Sequence, residues 1–331
     1  RPEEAGDLVN RWRPWAADGR PVDLHSEMSR LTLRVVGRLL FGSDVERAVP
    51  VVAEAFPILG EYARARAFAP ARLPRGWPTP SNRRAVRAQR AVYAVCDELI
   101  AQRRAAPSGG DDLLSLLVDA RDNGEQLDDA EIRDQVLIFL LAGHDTTALA
   151  LTFALHLLGL HPHAARWLRD EVDDVLGDRS ATAEDFDALA YTTMVLKEAM
   201  RLYPPAWGLG RRTVAGDRID GCEIPPGSDV AVSAWVTHRH PAFWEEPERF
   251  DPERFAPERE AERHRHAYFP FGAGPRACIG QYFSMLEAVI ALAVIAQHYE
   301  LSSLTERVPL APRITLHPAA PVPCRLTARR P

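Results

Sequence analysis

The stretch Phe271-Gly272-Ala273-Gly274-Pro275-Arg276-Ala277-Cys278-Ile279-Gly280 decides how this chain is read. It surrounds one cysteine with residues that suit a thiolate bound to a metal. Glycines let a backbone turn through positive φ and approach a flat ligand closely. Backbone N–H groups in so tight a loop can point at sulfur and hold its negative charge. Arg276 is a fixed cation suited to a carboxylate on the bound group. A helix is expected from Gln281 onward, which would turn its positive end towards the thiolate. A haem iron with Cys278 as axial ligand meets all of these conditions.

Other fates of a cysteine explain less. A buried structural cysteine needs no glycines or arginine before it. Zinc needs further Cys or His ligands at short spacing, and no C-x-x-C occurs. A disulfide needs a partner, and Cys96, Cys222 and Cys324 are scattered without a framework pattern.

Upstream, residues 136–160 carry a single formal charge, Asp145. A membrane span reads this way too. His144, Asp145, Thr146 and Thr147 cluster in its middle, however, where lipid would penalise them. A long helix through a protein core is expected instead, with Asp128 as N-cap and Glu131 completing a capping box. In its middle, small side chains at Ala142 and Gly143 leave room for a ligand against the backbone. Gly143 costs about 1 kcal/mol of helix propensity, so a functional or packing reason is expected there. The Thr146 hydroxyl can bond the preceding turn. Asp145 can relay protons, or simply pair with backbone or an arginine.

Glu198 and Arg201 share one helix face. Most such pairs are solvated and contribute little, but apolar neighbours over residues 196–205 argue for burial. Two arginines follow downstream, Arg249 in Pro247-Glu248-Arg249-Phe250 and Arg254 in Phe250-Asp251-Pro252-Glu253-Arg254-Phe255.

Taken together and in this order, the motifs resemble those of cytochrome P450. The pattern Phe-x-x-Gly-x-Arg-x-Cys-x-Gly is met at Phe271, Gly274, Arg276, Cys278 and Gly280. The pattern Ala/Gly-Gly-x-Asp/Glu-Thr-Thr/Ser is met over residues 142–147, Glu-x-x-Arg at Glu198 and Arg201, and Phe-x-Pro-Glu-Arg-Phe over residues 250–255. The resemblance implies a mainly α chain with the cytochrome P450 fold and small β-sheets. Residues 1–331 would form a single catalytic domain whose N-terminal portion is absent from this chain.

It implies haem b (iron protoporphyrin IX) ligated by Cys278 and lined by Phe271, Gly272, Gly280, Ala142 and Gly143, with Arg276 and Arg211 on its carboxylates. Counting back from Gly221 favours Arg211 over Arg212. Asp145 and Thr146 would handle proton delivery, and Glu198, Arg201 and Arg254 would form a buried structural network. Leu137, Leu141, Ala206, Trp207 and Leu209, with residues 312–316, would meet the substrate. His238 is a further polar candidate near the cofactor. The implied reaction inserts one oxygen atom of O2 into an apolar terpenoid, polyketide or fatty-acid-like molecule. Electrons from NAD(P)H would arrive through ferredoxin reductase and a ferredoxin docked on the basic run Arg263-His264-Arg265-His266. The alternative is a non-catalytic haem-binding relative, an inactive fragment or a partner subunit.

Composition sets the remaining bounds. In 331 residues, 46% hydrophobic and 26% charged, the chain is an ordinary globular one. A net charge of −6 gives no footprint for nucleic acid. Lys197 is the only lysine, a bias that suits a GC-rich bacterial genome better than any folding need. No signal peptide opens the chain, so a cytoplasmic place without a membrane partner is expected. Helical spacing predicts helices over residues 28–41, 51–68 (kinked or starting late at Pro57) and 84–104. Prolines 70, 74, 78 and 80 predict a loop, residues 213–236 short strands, and residues 308–326 a hairpin region.

Overall fold

The computed structural model describes residues 2–42, 45–67, 69, 74–105, 112–122 and 125–329. Apart from the first three residues, they gather into two compact units, residues 25–148 and residues 4–24 with 149–331.

Unit 1 is built from helices α2 (Leu24–Phe41), α3 (Val45–Ala67), α4 (Pro80–Ala105), α5 (Leu113–Asp119) and the first half of α6 (Asp129–Leu160). Phe68, Pro70 and the connector expected at residues 106–111 lie outside the described residues. α3 starts before the expected position and carries Pro50 and Pro57 internally. An interior proline removes one helical bond; the burial of Val52, Ala55 and Phe56 along one stripe holds the helix regardless, since packing supplies most helical stability.

α6 begins as its sequence dictates. The Asp128 carboxylate accepts from Glu131 N–H at 2.8 Å, and the Glu131 carboxylate accepts from Asp128 N–H at 3.0 Å. Ile132, Val136, Leu140 and His144 recur every fourth residue and are all buried. Among the described residues α6 is the one helix long and apolar enough to cross a membrane, and 56% of its apolar 18-residue stretch is buried.

Unit 2 contains α1 (Pro2–Ala17), the second half of α6, α7 (Pro162–Leu176), α8 (Ala190–Leu202), α9 (Ala234–Thr237), α10 (Pro257–Glu262) and α11 (Gln281–His298). α8 stops one residue before Pro204-Pro205, where the chain can no longer donate helical bonds. α9 is a short helical turn where strand was expected; the Ser233 hydroxyl caps it by accepting from Val236 N–H at 3.3 Å.

An antiparallel three-stranded sheet joins the two ends of unit 2. Strand β1 (Val22–Asp23) pairs with β11 (Pro323–Ala328), which pairs with β8 (Tyr299–Ser303). Helix α6 runs directly against β8. A Cβ on Gly159 would lie 2.6 Å from the Ser303 backbone nitrogen, so only glycine lets the strand cross there. Hairpins β4–β7 (Leu209–Arg212 with Asp229–Val232), β5–β6 (Asp217–Ile219 with Cys222–Ile224) and β9–β10 (Leu310–Pro312 with Leu316–Pro318) complete the unit.

Candidate functional site

The four cysteines sort by environment. Cys96 and Cys324 are buried, and burial pushes both thiols up to about 12, which keeps them protonated and inert. Cys222 is exposed on a hairpin strand. Cys278 is exposed on a built loop.

That loop is closed by backbone bonds. Cys278 N–H donates to the Phe271 carbonyl at 2.9 Å, and Gly272 N–H to Phe269 at 3.0 Å. Gly272 and Gly274 take φ of +73° and +71°, a region closed to ordinary side chains. A 3-10 turn over Gly274–Arg276 then delivers Cys278 to the start of α11. Gly280 is the helix N-cap and has no side chain to satisfy the first-turn N–H groups. A Cβ there would lie 3.9 Å from the Cys278 sulfur. The positive end of α11 therefore faces the Cys278 sulfur.

These residues fit a thiolate-bound haem. The donor is a single soft sulfur. Beside it Ile279 is 91% exposed and Tyr282 70%, an apolar flank suited to a flat organic ring. Arg276 is an exposed cation in the same loop. Among the described residues no group of three or more His, Cys, Asp or Glu could hold a metal ion, so a zinc cluster has no support.

Leu209 on β4 comes against this loop, its Cδ1 3.7 Å from where a Gly272 Cβ would stand. Residues two apart on a strand share a face, so Arg211 lies on the loop side. Arg211 is exposed, and among the described residues its guanidinium bonds only to the adjacent Gly210 carbonyl, at 2.8 Å. Arg212 faces the other way, 3.8 Å from Asp229. Ala206 and Trp207 are half-buried, and the Trp207 indole N–H donates to the Arg313 carbonyl at 3.0 Å. That bond joins the 206–209 segment to the turn at residues 312–316.

Under the loop lies a buried ion network. Arg201 donates to both Glu198 oxygens, at 2.6 and 2.8 Å, and neither side chain is exposed. Its remaining N–H groups go to the carbonyls of His238, Pro247 and Arg249 at 2.9, 2.7 and 3.1 Å. Arg254 approaches Glu198 at 3.5 Å and donates to the Glu246 carbonyl at 3.1 Å. Arg249 turns its side chain out to Glu246 and contributes only its carbonyl. Burial raises the Glu198 carboxyl, while the Arg201 hydrogen bonds and the charges of Arg201 and Arg254 oppose that shift.

His238 links this network to the loop. It is fully buried, and its Nε2 accepts the Phe269 N–H at 3.0 Å. Burial, then the charges of Arg201 and Arg239, push the imidazole down to about 3. It is a positioning residue for the segment that opens the loop. The Thr237-His238-Arg239-His240 stretch carried no periodic signal that could show this.

Arg263 also departs from expectation. Its guanidinium packs 4.2 Å from the centre of the Trp244 ring and 4.9 Å from that of Phe255, and it donates to the Arg254 carbonyl. Cation–π packing takes it out of the solvated docking cluster and leaves His264, Arg265 and His266 exposed.

In unit 1, the Thr146 hydroxyl donates to the Ala142 carbonyl one turn back, at 2.7 Å. Asp145 is half-buried, Leu137 half-buried, and Leu141 and Ala142 exposed. Gly143 faces Val36 of α2, whose Cγ2 would be 3.1 Å from an added Cβ. Its small size thus serves helix packing.

The loop, the network and the helical motif define a haem-thiolate fold class, and the chain belongs to the cytochrome P450 family, whose sequence profile matches residues 1–322. It is 38% identical over 296 residues to cyclooctat-9-en-7-ol 5-monooxygenase and 43% identical over 291 residues to cyclooctatin synthase, both of Streptomyces melanosporofaciens. Those matches cover 88% and 87% of this chain but only 64% and 63% of the relatives' lengths. Pentalenene oxygenase of Streptomyces avermitilis is 34% identical, over 97% of this chain and 71% of that protein. The crystal structure of the cytochrome P450DA heme domain superposes with a TM-score of 0.90 at 32% identity, covering all of this chain and 72% of that one.

Proposed function

We propose that this chain is the catalytic part of a bacterial, cytoplasmic monooxygenase acting on a terpenoid-like hydrocarbon. The observation that carries the reading is Cys278. Among the four cysteines it alone is exposed on a glycine-built loop at a helix N-terminus, within the matched family region. Haem b bound through its thiolate would activate dioxygen, the thiolate favouring O–O cleavage.

The chain's own residues divide the remaining work. Cys278 would supply the ligand, next to the N-terminus of α11. Arg276 and Arg211 would hold the cofactor's carboxylates, and Phe271, Gly272, Gly280 and Ala142 would lie against its ring. Asp145 and Thr146 would relay the two protons that the reaction takes up with two electrons, one oxygen atom of O2 entering a C–H bond and the other leaving as water. Leu137, Leu141, Ala206, Trp207 and Leu209 offer apolar contact and no charge, which suits a hydrocarbon skeleton. Cyclooctat-9-en-7-ol and pentalenene, named in the relatives' titles, set the substrate class. Electrons come from NAD(P)H through a ferredoxin reductase and a ferredoxin, the latter docked near His264, Arg265 and His266.

The test is the spectrum of the reduced, CO-bound protein, followed by product analysis under labelled oxygen with a ferredoxin couple and a cyclic terpene. The red-shifted thiolate–CO band and singly labelled alcohol are expected, and Cys278→Ala should lose both. The band without product would mark a haem-binding protein that does not oxygenate terpenes. Retention of the band in Cys278→Ala would remove Cys278 as ligand.

A further inference from the structure

We propose that Arg313, in the turn of the β9–β10 hairpin, determines specificity by holding a carboxylate on the substrate's apolar skeleton. The inference rests on the reading that residues 206–209 and 312–316 meet the substrate. Across residues 204–210 and 308–316, Arg313 is the single charged residue. Its backbone is fixed within unit 2. The Arg313 carbonyl accepts from the Trp207 indole N–H at 3.0 Å, and its own N–H donates to the Thr315 carbonyl at 3.0 Å. Leu316 N–H donates to the Pro205 carbonyl, also at 3.0 Å. Two bonds thus fasten the hairpin to the segment whose far end, Leu209, comes against the Cys278 loop.

The polar side chains of these two segments divide clearly. The Trp207 N–H is taken by the Arg313 carbonyl, and the Thr315 hydroxyl pairs with His317 Nε2 at 2.9 Å. The Arg313 guanidinium is exposed, and among the described residues it has no hydrogen bond and no ion pair. Beside it Ile314 is 59% exposed, and Ala206, Trp207 and Leu209 are half-buried. One unengaged cation on an apolar wall complements an apolar molecule with one anionic end.

Chemistry narrows that end further. A guanidinium donates up to five hydrogen bonds, accepts none and is not deprotonated in proteins. Its partner must therefore be an acceptor, and a carboxylate takes two parallel bonds from it. A hydrocarbon offers it nothing. An alcohol offers one neutral oxygen, and a bond to a neutral acceptor is weaker than one to an ionised acceptor. With Arg276 and Arg211 assigned to the cofactor's carboxylates, Arg313 is left for the substrate's. A cyclic terpenoid acid and a fatty acid share this group.

The experiment is calorimetric titration of haem-loaded protein with four probes. Three share one cyclic skeleton: ent-kaurene, ent-kaurenol and ent-kaurenoic acid, with a methyl, a hydroxymethyl and a carboxylate. Palmitate is the open-chain acid. Ent-kaurenoic acid should bind more tightly than ent-kaurene. Arg313→Gln should lower its affinity about tenfold, the low end for hydrogen bonds to a charged group. Ent-kaurene should bind wild type and Arg313→Gln alike. Arg313→Lys keeps the charge without the planar fork and should fall between them. Palmitate bound in place of ent-kaurenoic acid, with the same dependence on Arg313, would uphold the carboxylate anchor while removing the terpenoid class. Binding of ent-kaurene and ent-kaurenol, with neither acid sensitive to Arg313→Gln, would leave the terpenoid class standing and overturn the anchor. Loss of haem absorbance from Arg313→Gln would assign the guanidinium to the cofactor and overturn it equally. Binding of none of the four would remove both readings.

Discussion

His238 accepts the Phe269 N–H through Nε2 at 3.0 Å while its own carbonyl receives Arg201 at 2.9 Å. One buried residue thus ties the Glu198–Arg201 pair to the segment that opens the cysteine loop. Replacing it by leucine leaves the Phe269 N–H without its acceptor. An unsatisfied buried donor costs about 1–3 kcal/mol, so His238→Leu should unfold at lower denaturant and lose haem sooner. A change under about 0.5 kcal/mol would show that the loop holds its geometry alone.

Removing one partner of a buried ion pair costs about 3–5 kcal/mol. Glu198→Ala and Arg201→Ala should therefore give little haem-loaded protein. Arg249→Ala breaks an exposed pair with Glu246 and should cost under about 1 kcal/mol. Near-normal melting of Glu198→Ala would contradict the network's role.

Burial pushes His156 down to about 4, and its Nδ1 sits 2.8 Å from the Ser303 hydroxyl. A histidine depressed in the folded state gives stability that is present above its unfolded value and lost as pH falls. Below about pH 6.5 the unfolded chain takes up the proton and the folded one does not, at about 1.4 kcal/mol per pH unit until near pH 4. His156→Leu should flatten the pH dependence by that slope in denaturation at pH 7, 6 and 5. Parallel curves for the two proteins would rule this out.

Gly159→Ala gains about 1 kcal/mol of helix propensity but places a Cβ 2.6 Å from the Ser303 nitrogen. Overpacking against backbone costs about 1–3 kcal/mol, so melting should fall. Gly143→Ala meets only the Val36 side chain, at 3.1 Å, and should be tolerated better. The reverse order of melting points would refute the packing assignment.

Thr146→Ala removes the hydroxyl that returns to Ala142. Haem and substrate binding should survive, while reducing equivalents pass to peroxide or water instead of product. The check is the ratio of product formed to NAD(P)H consumed. Unchanged coupling would leave Thr146 a structural residue.

Local chemistry made Cys278 legible. Two glycines at positive φ, an arginine and a helix start lie within a few residues of one another, so their purpose can be inferred without knowing what packs around them. The Asp128–Glu131 cap and the stop of α8 at Pro204 were legible for the same reason, since the bonds involved span three or four residues. The long apolar helix was legible too, but its packing partners were not.

The sequence by itself determined the class of ligand, the order of the helices and the pairing of Glu198 with Arg201. Tertiary structure alone decided three other matters. It set His238 beneath the loop as a support, drew Arg263 out of a basic run onto Trp244 and Phe255, and gave Gly143 and Gly159 different neighbours. The physical reason is common to all three. A side chain's role follows from which distant segment fills the space against it, and nothing within a few residues of His238, Arg263 or Gly159 encodes the arrival of Phe269, Trp244 or Ser303.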